Sequence, residues 1–115
     1  MEGIKSLAVI FEEEQDWPRL LKLVQKNASL HFAESYYDLL KEKYPEELLD
    51  IYKEALRRYA EHNMGAQHYS YLAATIRKIQ SLPRGNETAK SLAIEFKVKY
   101  RQRKNLVNAL NKLVF

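Results

Sequence analysis

Between Tyr44 and Gly65 apolar residues return every third or fourth position without a break, a period that only a helix with one buried face satisfies. Leu48, Tyr52, Ala55 and Tyr59 form one stripe, widened by Leu49, Leu56 and Ala60. Glu46, Glu47, Asp50, Lys53, Glu54, Arg57, Arg58 and Glu61 take the opposite side. Pro45 suits the first turn, because its φ is already helical and its missing N–H would have no partner there. Gly65 is placed to close the helix in the left-handed conformation. Acids crowd the first turns and Arg57 and Arg58 come late, the order the helix dipole favours, and Glu54 precedes Arg58 by four residues. A helix of this kind needs a core to pack against.

The flanking segments supply it. Ile4, Leu7, Ala8 and Phe11 predict a short amphipathic helix closed by Glu12-Glu13-Glu14. A second starts at Asp16-Trp17-Pro18, with Asp16 as cap, and carries Trp17, Leu20, Leu21 and Val24 inward. Ser29 caps a third, with Ala33, Tyr36, Tyr37 and Leu40 inward, and Pro45 forces Tyr44 out of helical geometry. After Gly65, Tyr69, Leu72, Ala73, Ile76 and Ile79 predict a fifth helix ending at Leu82-Pro83-Arg84-Gly85. Asn86 is the expected cap of a sixth, with Ala89, Leu92, Ala93, Phe96 and Tyr100 inward. A seventh, from about Lys104, carries Leu106, Val107, Leu110, Leu113 and Val114. Two-residue alternation never persists, so no strand competes.

Three glycines and three prolines among 115 residues leave little material for the turns of an all-β chain. The length suits one domain with one core. The absence of cysteine excludes disulfides, a thiol nucleophile and any cysteine-ligated metal. The longest apolar run, Leu7 to Phe11, is far too short to span a membrane, so a cytoplasmic protein without membrane contact is expected. The net charge of +4 is unevenly spread. Residues 1–56 hold 7 Lys/Arg against 12 Asp/Glu, whereas residues 84–115 hold 8 against 2. An acidic first half and a basic last third suit either an anionic partner or mutual attraction between parts or copies of the chain.

The two halves also resemble each other. Trp17, Leu20, Val24 and Lys26 recur as Tyr69, Leu72, Ile76 and Lys78, a shift of 52; Ser35, Lys41, Lys43 and Tyr44 recur as Ser91, Lys97, Lys99 and Tyr100, a shift of 56. Ala55-Leu56 matches Ala109-Leu110, a shift of 54. With short connections that force neighbours antiparallel, the expectation is an all-α domain over residues 1–115. In it, six or seven helices form antiparallel hairpins stacked as a short αα superhelix of two degenerate repeats of about 54 residues. A first helix without a partner suggests a fragment of a longer protein.

One stretch is more specific. Trp17-x-x-Leu20-Leu21, Tyr36-x-x-x-Leu40-x-x-x-Tyr44-Pro45-Glu46-Glu47-Leu48-Leu49-x-x-Tyr52 and Arg58-Tyr59-Ala60-Glu61 are followed by His68-Tyr69-x-x-x-Ala73-x-x-Ile76-Arg77-Lys78 and Tyr100-x-x-Arg103. Together they resemble the C-terminal helical region of bacterial SWIM zinc finger proteins, over roughly Asp16 to Leu113. In that family the zinc site is an upstream Cys-x-Cys and Cys-x-His motif, which this chain lacks. What the resemblance implies is therefore a helical contact platform beside a zinc module elsewhere in a longer polypeptide, with no metal or other cofactor carried by these residues.

Candidate chemistry is thin. His62 and His68 flank Gly65 at a spacing that does not make an i, i+4 pair, and His31 is distant. Glu12-Glu13-Glu14 and Glu46-Glu47 read as solvated helix ends rather than paired acids. There is no glycine-rich phosphate loop and no Ser–His–acid motif, so an enzyme is not expected. An enzyme would instead reveal a concave pocket with at least two titratable groups displaced in pKa.

Most of the eight tyrosines fall on inner faces; Tyr37 and Tyr71 fit less well and are the candidate exposed aromatics. The better lead is basic. Lys90, Lys97, Arg101 and Lys104 recur at near-helical intervals, Lys99 and Arg103 thicken the turn between the last two helices, and Arg57, Arg58, Arg77 and Lys78 extend the strip if the hairpins stack. The expected function is a non-catalytic interaction module binding a protein partner, the alternative being nucleic-acid contact through the basic surface. Exposed ends of a truncated array, at Ile4, Phe11, Leu113, Val114 and Phe115, would favour a homodimer.

Overall fold

A computed structural model describes residues 2–27 and 29–115, with side chains from residue 7 onward. Among these residues there are eight helices and no strand: α1 (Glu2–Glu13), α2 (Trp17–Asn27), α3 (Leu30–Ser35), α4 (Tyr37–Lys43), α5 (Pro45–His62), α6 (Ala66–Ile79), α7 (Gly85–Lys99) and α8 (Lys104–Asn111). The apolar stripe of α5 is the centre of the core: Leu48, Leu49, Tyr52, Ala55, Leu56 and Ala60 are buried, and Tyr59 is half-buried. The inner residues expected of α7, Ala89, Leu92, Ala93 and Phe96, are buried as well. Ile4 lies outside the described side chains.

Local chemistry explains most boundaries. Asp16 accepts from the Arg19 N–H at the start of α2, and Ser29 Oγ accepts from the Phe32 N–H at 3.1 Å at the start of α3. Pro45 opens α5, and Tyr44 leaves helical geometry at φ −139°, ψ 61°. Three boundaries differ from expectation. The third helix breaks in two at Tyr36 (φ −113°, ψ 18°), one residue after the Ser35 hydroxyl donates to the His31 carbonyl at 3.0 Å. A hydroxyl bonded to the carbonyl four residues back bends a helix. The bend turns Tyr37 onto Tyr52, edge to face with centroids 5.9 Å apart.

The second difference is the end of α5. It stops at His62, where Asn63 is extended and its side-chain amide donates to the Tyr59 carbonyl at 3.0 Å. Gly65 is therefore not its left-handed cap. It holds φ +119°, ψ 161° as the residue before α6, a conformation open to glycine and strained for other residues. Third, Asn86 does not cap the penultimate helix. That helix starts at Gly85 behind a left-handed Arg84 (φ 61°), and Asn86 Oδ1 accepts instead from Gln80 Nε2 at 3.0 Å. Gly85 is needed for room: a Cβ there would meet the carbonyl oxygen of Ile79.

Packing follows chain order. α1 packs on α2, α2 on α3, both halves of the bent third segment on α5, and then α5 on α6, α6 on α7 and α7 on α8, with α5 also touching α7 and α6 touching α8. The body measures 46 × 29 × 18 Å. α1 stands at one end of this order and α7 and α8 at the other. The two halves do not pack identically: α6 lies against α8, whereas α2 and α5, their sequence counterparts, share no main contact. At the ends, Phe11 and Leu113 are half-buried against the core, while Leu7 and Val114 face solvent.

Candidate interaction surface

The ten basic residues proposed as one strip divide into two groups. On α5, Arg57 donates through Nε and Nη2 to both carboxylate oxygens of Glu95 on α7, at 2.9 and 2.8 Å. This fork holds the Glu95 carboxyl below the usual carboxylate range and the guanidinium above its own. Arg58 pairs with Glu54 one turn back at 3.4 Å. Lys78 on α6 reaches Glu34 on α3 at 2.9 Å and lies 4.1 Å over the Tyr37 ring. Arg103 donates to the Ala60 carbonyl and stacks on Tyr100 at 4.1 Å, bracing the α7–α8 turn against α5. These four cations have partners within the molecule, Lys78 and Arg103 in part-buried bonds and Arg57 and Arg58 in exposed ion pairs.

The second group is available. Among the described residues, Arg77, Lys90, Lys97, Lys99, Arg101 and Lys104 have no carboxylate within ion-pair distance. All but Lys97 are exposed, and Lys97 is half-buried with its ammonium 3.3 Å from Asn111 Oδ1. Lys99, Arg101 and Arg103 line a hollow of about 320 Å³ at the turn into α8. Lys104 opens α8, whose first turn carries no acid, so the positive end of the helix adds to the cations beside it. Arg77 lies apart, over a hollow of about 260 Å³ between α6 and α8 with Ala73, Ala109 and Lys112.

One surface feature had not been singled out in the sequence. Ile94 is 50% exposed and Val98 69%, on adjacent turns of the outward face of α7. Lys90 lies one turn before Ile94, Lys97 is adjacent to Val98, and Arg101 lies just past the end of α7. The pair forms an apolar island bordered by cations. Its signal was in the sequence, since Ile94 and Val98 are apolar residues left over after the inner stripe of α7 has been assigned.

The candidate aromatics part company. Tyr71 is 39% exposed, edge-on to Tyr59 at 5.3 Å, and burial with the nearby Glu34 charge raises its pKa. Tyr37 is only 7% exposed and is corrected to a core residue: the break at Tyr36 rotates it under Lys78 and onto Tyr52. It belongs to a clamp that binds three segments. Tyr52 donates to Glu34 Oε1 at 2.7 Å while Lys78 holds Oε2, joining α3, α5 and α6. Burial, and then the bond to Glu34, push the Tyr52 hydroxyl far above its ordinary pKa. His68 Nδ1 is 2.6 Å from the Tyr59 hydroxyl, which gives that histidine a packing role.

A hollow of about 210 Å³ between α5 and α7 includes Lys53, Arg57, Thr88 and Glu95. It contains two groups displaced in pKa, but the displacement comes from their mutual bond. Each is held more firmly in its charged form, the opposite of what proton transfer near neutrality requires. Among the described residues no cluster of three metal-ligating side chains occurs, and no helix is long and apolar enough to cross a membrane. No family model, curated protein or solved structure matches the chain.

Proposed function

We propose that the protein is a non-catalytic interaction module that holds a protein partner on the outward face of α7. The observation that carries this reading is the exposed Ile94–Val98 pair bordered by Lys90, Lys97 and Arg101. Removing such a pair from water favours association, and the bordering cations select an acidic surface and steer it in. Nucleic acid is the second reading, because the same cations and the turn at Lys99 to Lys104 could neutralise phosphates. A phosphate backbone offers nothing to Ile94 and Val98, so a partner with both apolar and acidic side chains fits better.

A photoreactive residue in place of Ile94 tests this directly. A protein crosslinked in the source cell, and lost when Lys97→Glu and Arg101→Glu are added, is the expected result. Tight binding of mixed-sequence DNA that weakens steeply with salt, together with no protein crosslink, would instead establish the second reading. We further read the layered helices as a short αα superhelix of two degenerate repeats. The buried pairs Leu20 and Leu72, Val24 and Ile76, and Leu56 and Leu110 support this by occupying matching places in α2 and α6 and in α5 and α8. The resemblance to SWIM zinc finger C-terminal regions would set the module beside a zinc-binding motif in the same polypeptide, which the upstream reading frame would reveal.

A further inference from the structure

We propose that the α7 face binds the outward face of α1 from a second copy of this chain, joining copies head to tail. This rests on reading the α7 face as a partner surface and names the partner. α1 sits at the opposite end of the packing order and packs mainly on α2. Leu7 and Ile10 are each 45% exposed, one turn apart on the same face. Glu13 and Glu14 follow, both exposed, and among the described residues neither has a cation within ion-pair distance. On this face α1 thus presents two exposed aliphatic residues and then acid, its third, Val9, lying beside His31 and Tyr36, while α7 presents two exposed aliphatic residues and then base.

Laid parallel, the two faces register. Leu7 comes level with Ile94 and Ile10 with Val98, because these pairs are spaced by three and four helical residues; Glu13 at the end of α1 and Glu14 just past it then come near Arg101, in the turn that follows α7. Apolar side chains then meet apolar ones and opposite charges meet at the edge. Within one molecule the two faces belong to helices at opposite ends of the packing order, so the complement must come from another molecule. Two different surfaces meeting in this way make a heterologous contact, which continues into a chain of copies unless its rotation closes a ring. One helix laid on another makes a small interface, so association is weak and concentration-dependent.

Sedimentation velocity over a concentration series is the test. In low salt the weight-average mass should climb past twice the 13.6 kDa of the monomer without stopping at a dimer, and added salt should lower it. Glu13→Lys with Glu14→Lys, and separately Lys90→Glu with Arg101→Glu, all at exposed positions, should each leave the chain monomeric with an unchanged thermal melt. Mixing these two variants should restore association, since each supplies the complement the other has lost. Val98→Lys, at a site that is mostly solvent, should also abolish it without touching the core.

A native chain that stays monomeric at millimolar concentration overturns the proposal. So does an α1 variant that still self-associates, which would mean that α7 pairs with α7. If the native chain is monomeric yet the crosslink at position 94 persists, the α7 reading stands and the self-assembly falls. If both are absent, both fall.

Discussion

Tyr52 and Tyr100 show at residue scale how far the same side chain depends on its partner. Tyr52 is fully buried and donates to a charged oxygen of Glu34, so Tyr52→Phe should cost about 1.5–3 kcal/mol in urea unfolding. The Tyr100 hydroxyl is buried without a hydrogen-bond partner among the described residues. Tyr100→Phe should therefore be neutral or stabilise by up to about 1 kcal/mol, and a loss comparable to that at Tyr52 would contradict the assignment. Glu95 sets an acid-side dependence. Its pKa is depressed by Arg57, so its contribution is fully present above the unfolded carboxylate value of about 4.3 and is lost as pH falls through the folded value. Both side chains are more than a third exposed, so screening limits the effect to about 1 kcal/mol or less. Glu95→Gln should flatten the stability profile in that window and lower stability by the same amount at higher pH. Neither Glu34 nor Glu95 stood out in the sequence, because their partners lie 18, 38 and 44 residues away.

At the scale of elements, caps and breaks decide where helices begin and how they face. Gly85 has the most to lose: Gly85→Ala would drive a methyl into the Ile79 carbonyl and push α7 away from the end of α6. A loss of about 2–4 kcal/mol in chemical unfolding is expected, since backbone rather than a flexible side chain must give way. Gly65 has open space around it, and its substitution should cost about 1–2 kcal/mol through its φ alone. The Ser29 cap and the Pro45 start were legible because both act within one turn. The break at Tyr36 was only half legible, since Ser35 can bend a helix but the packing of Tyr37 on Tyr52 fixes the direction of the bend.

Taken whole, the molecule separates charge along its packing order, with unpaired acids at the end of α1 and unpaired cations on α7 and its turn into α8. Local sequence was enough to determine that the chain is helical and which stripe of the central helices is buried, because a 3.6-residue period is a short-range property, whereas Leu7 and Val114 of the outer stripes face solvent. It was enough for Leu48, Tyr52, Leu56 and Phe96, all fully or nearly fully buried. The surface was decided only by the fold. Arg57 and Arg58 are neighbours in sequence, yet one is tied to a distant helix and the other to its own, while Lys78 and Lys90 look equivalent and only Lys78 has a carboxylate to hold. A cation is spent or available according to what another segment places within a few ångströms, and that distance is set by tertiary packing rather than by the order of residues.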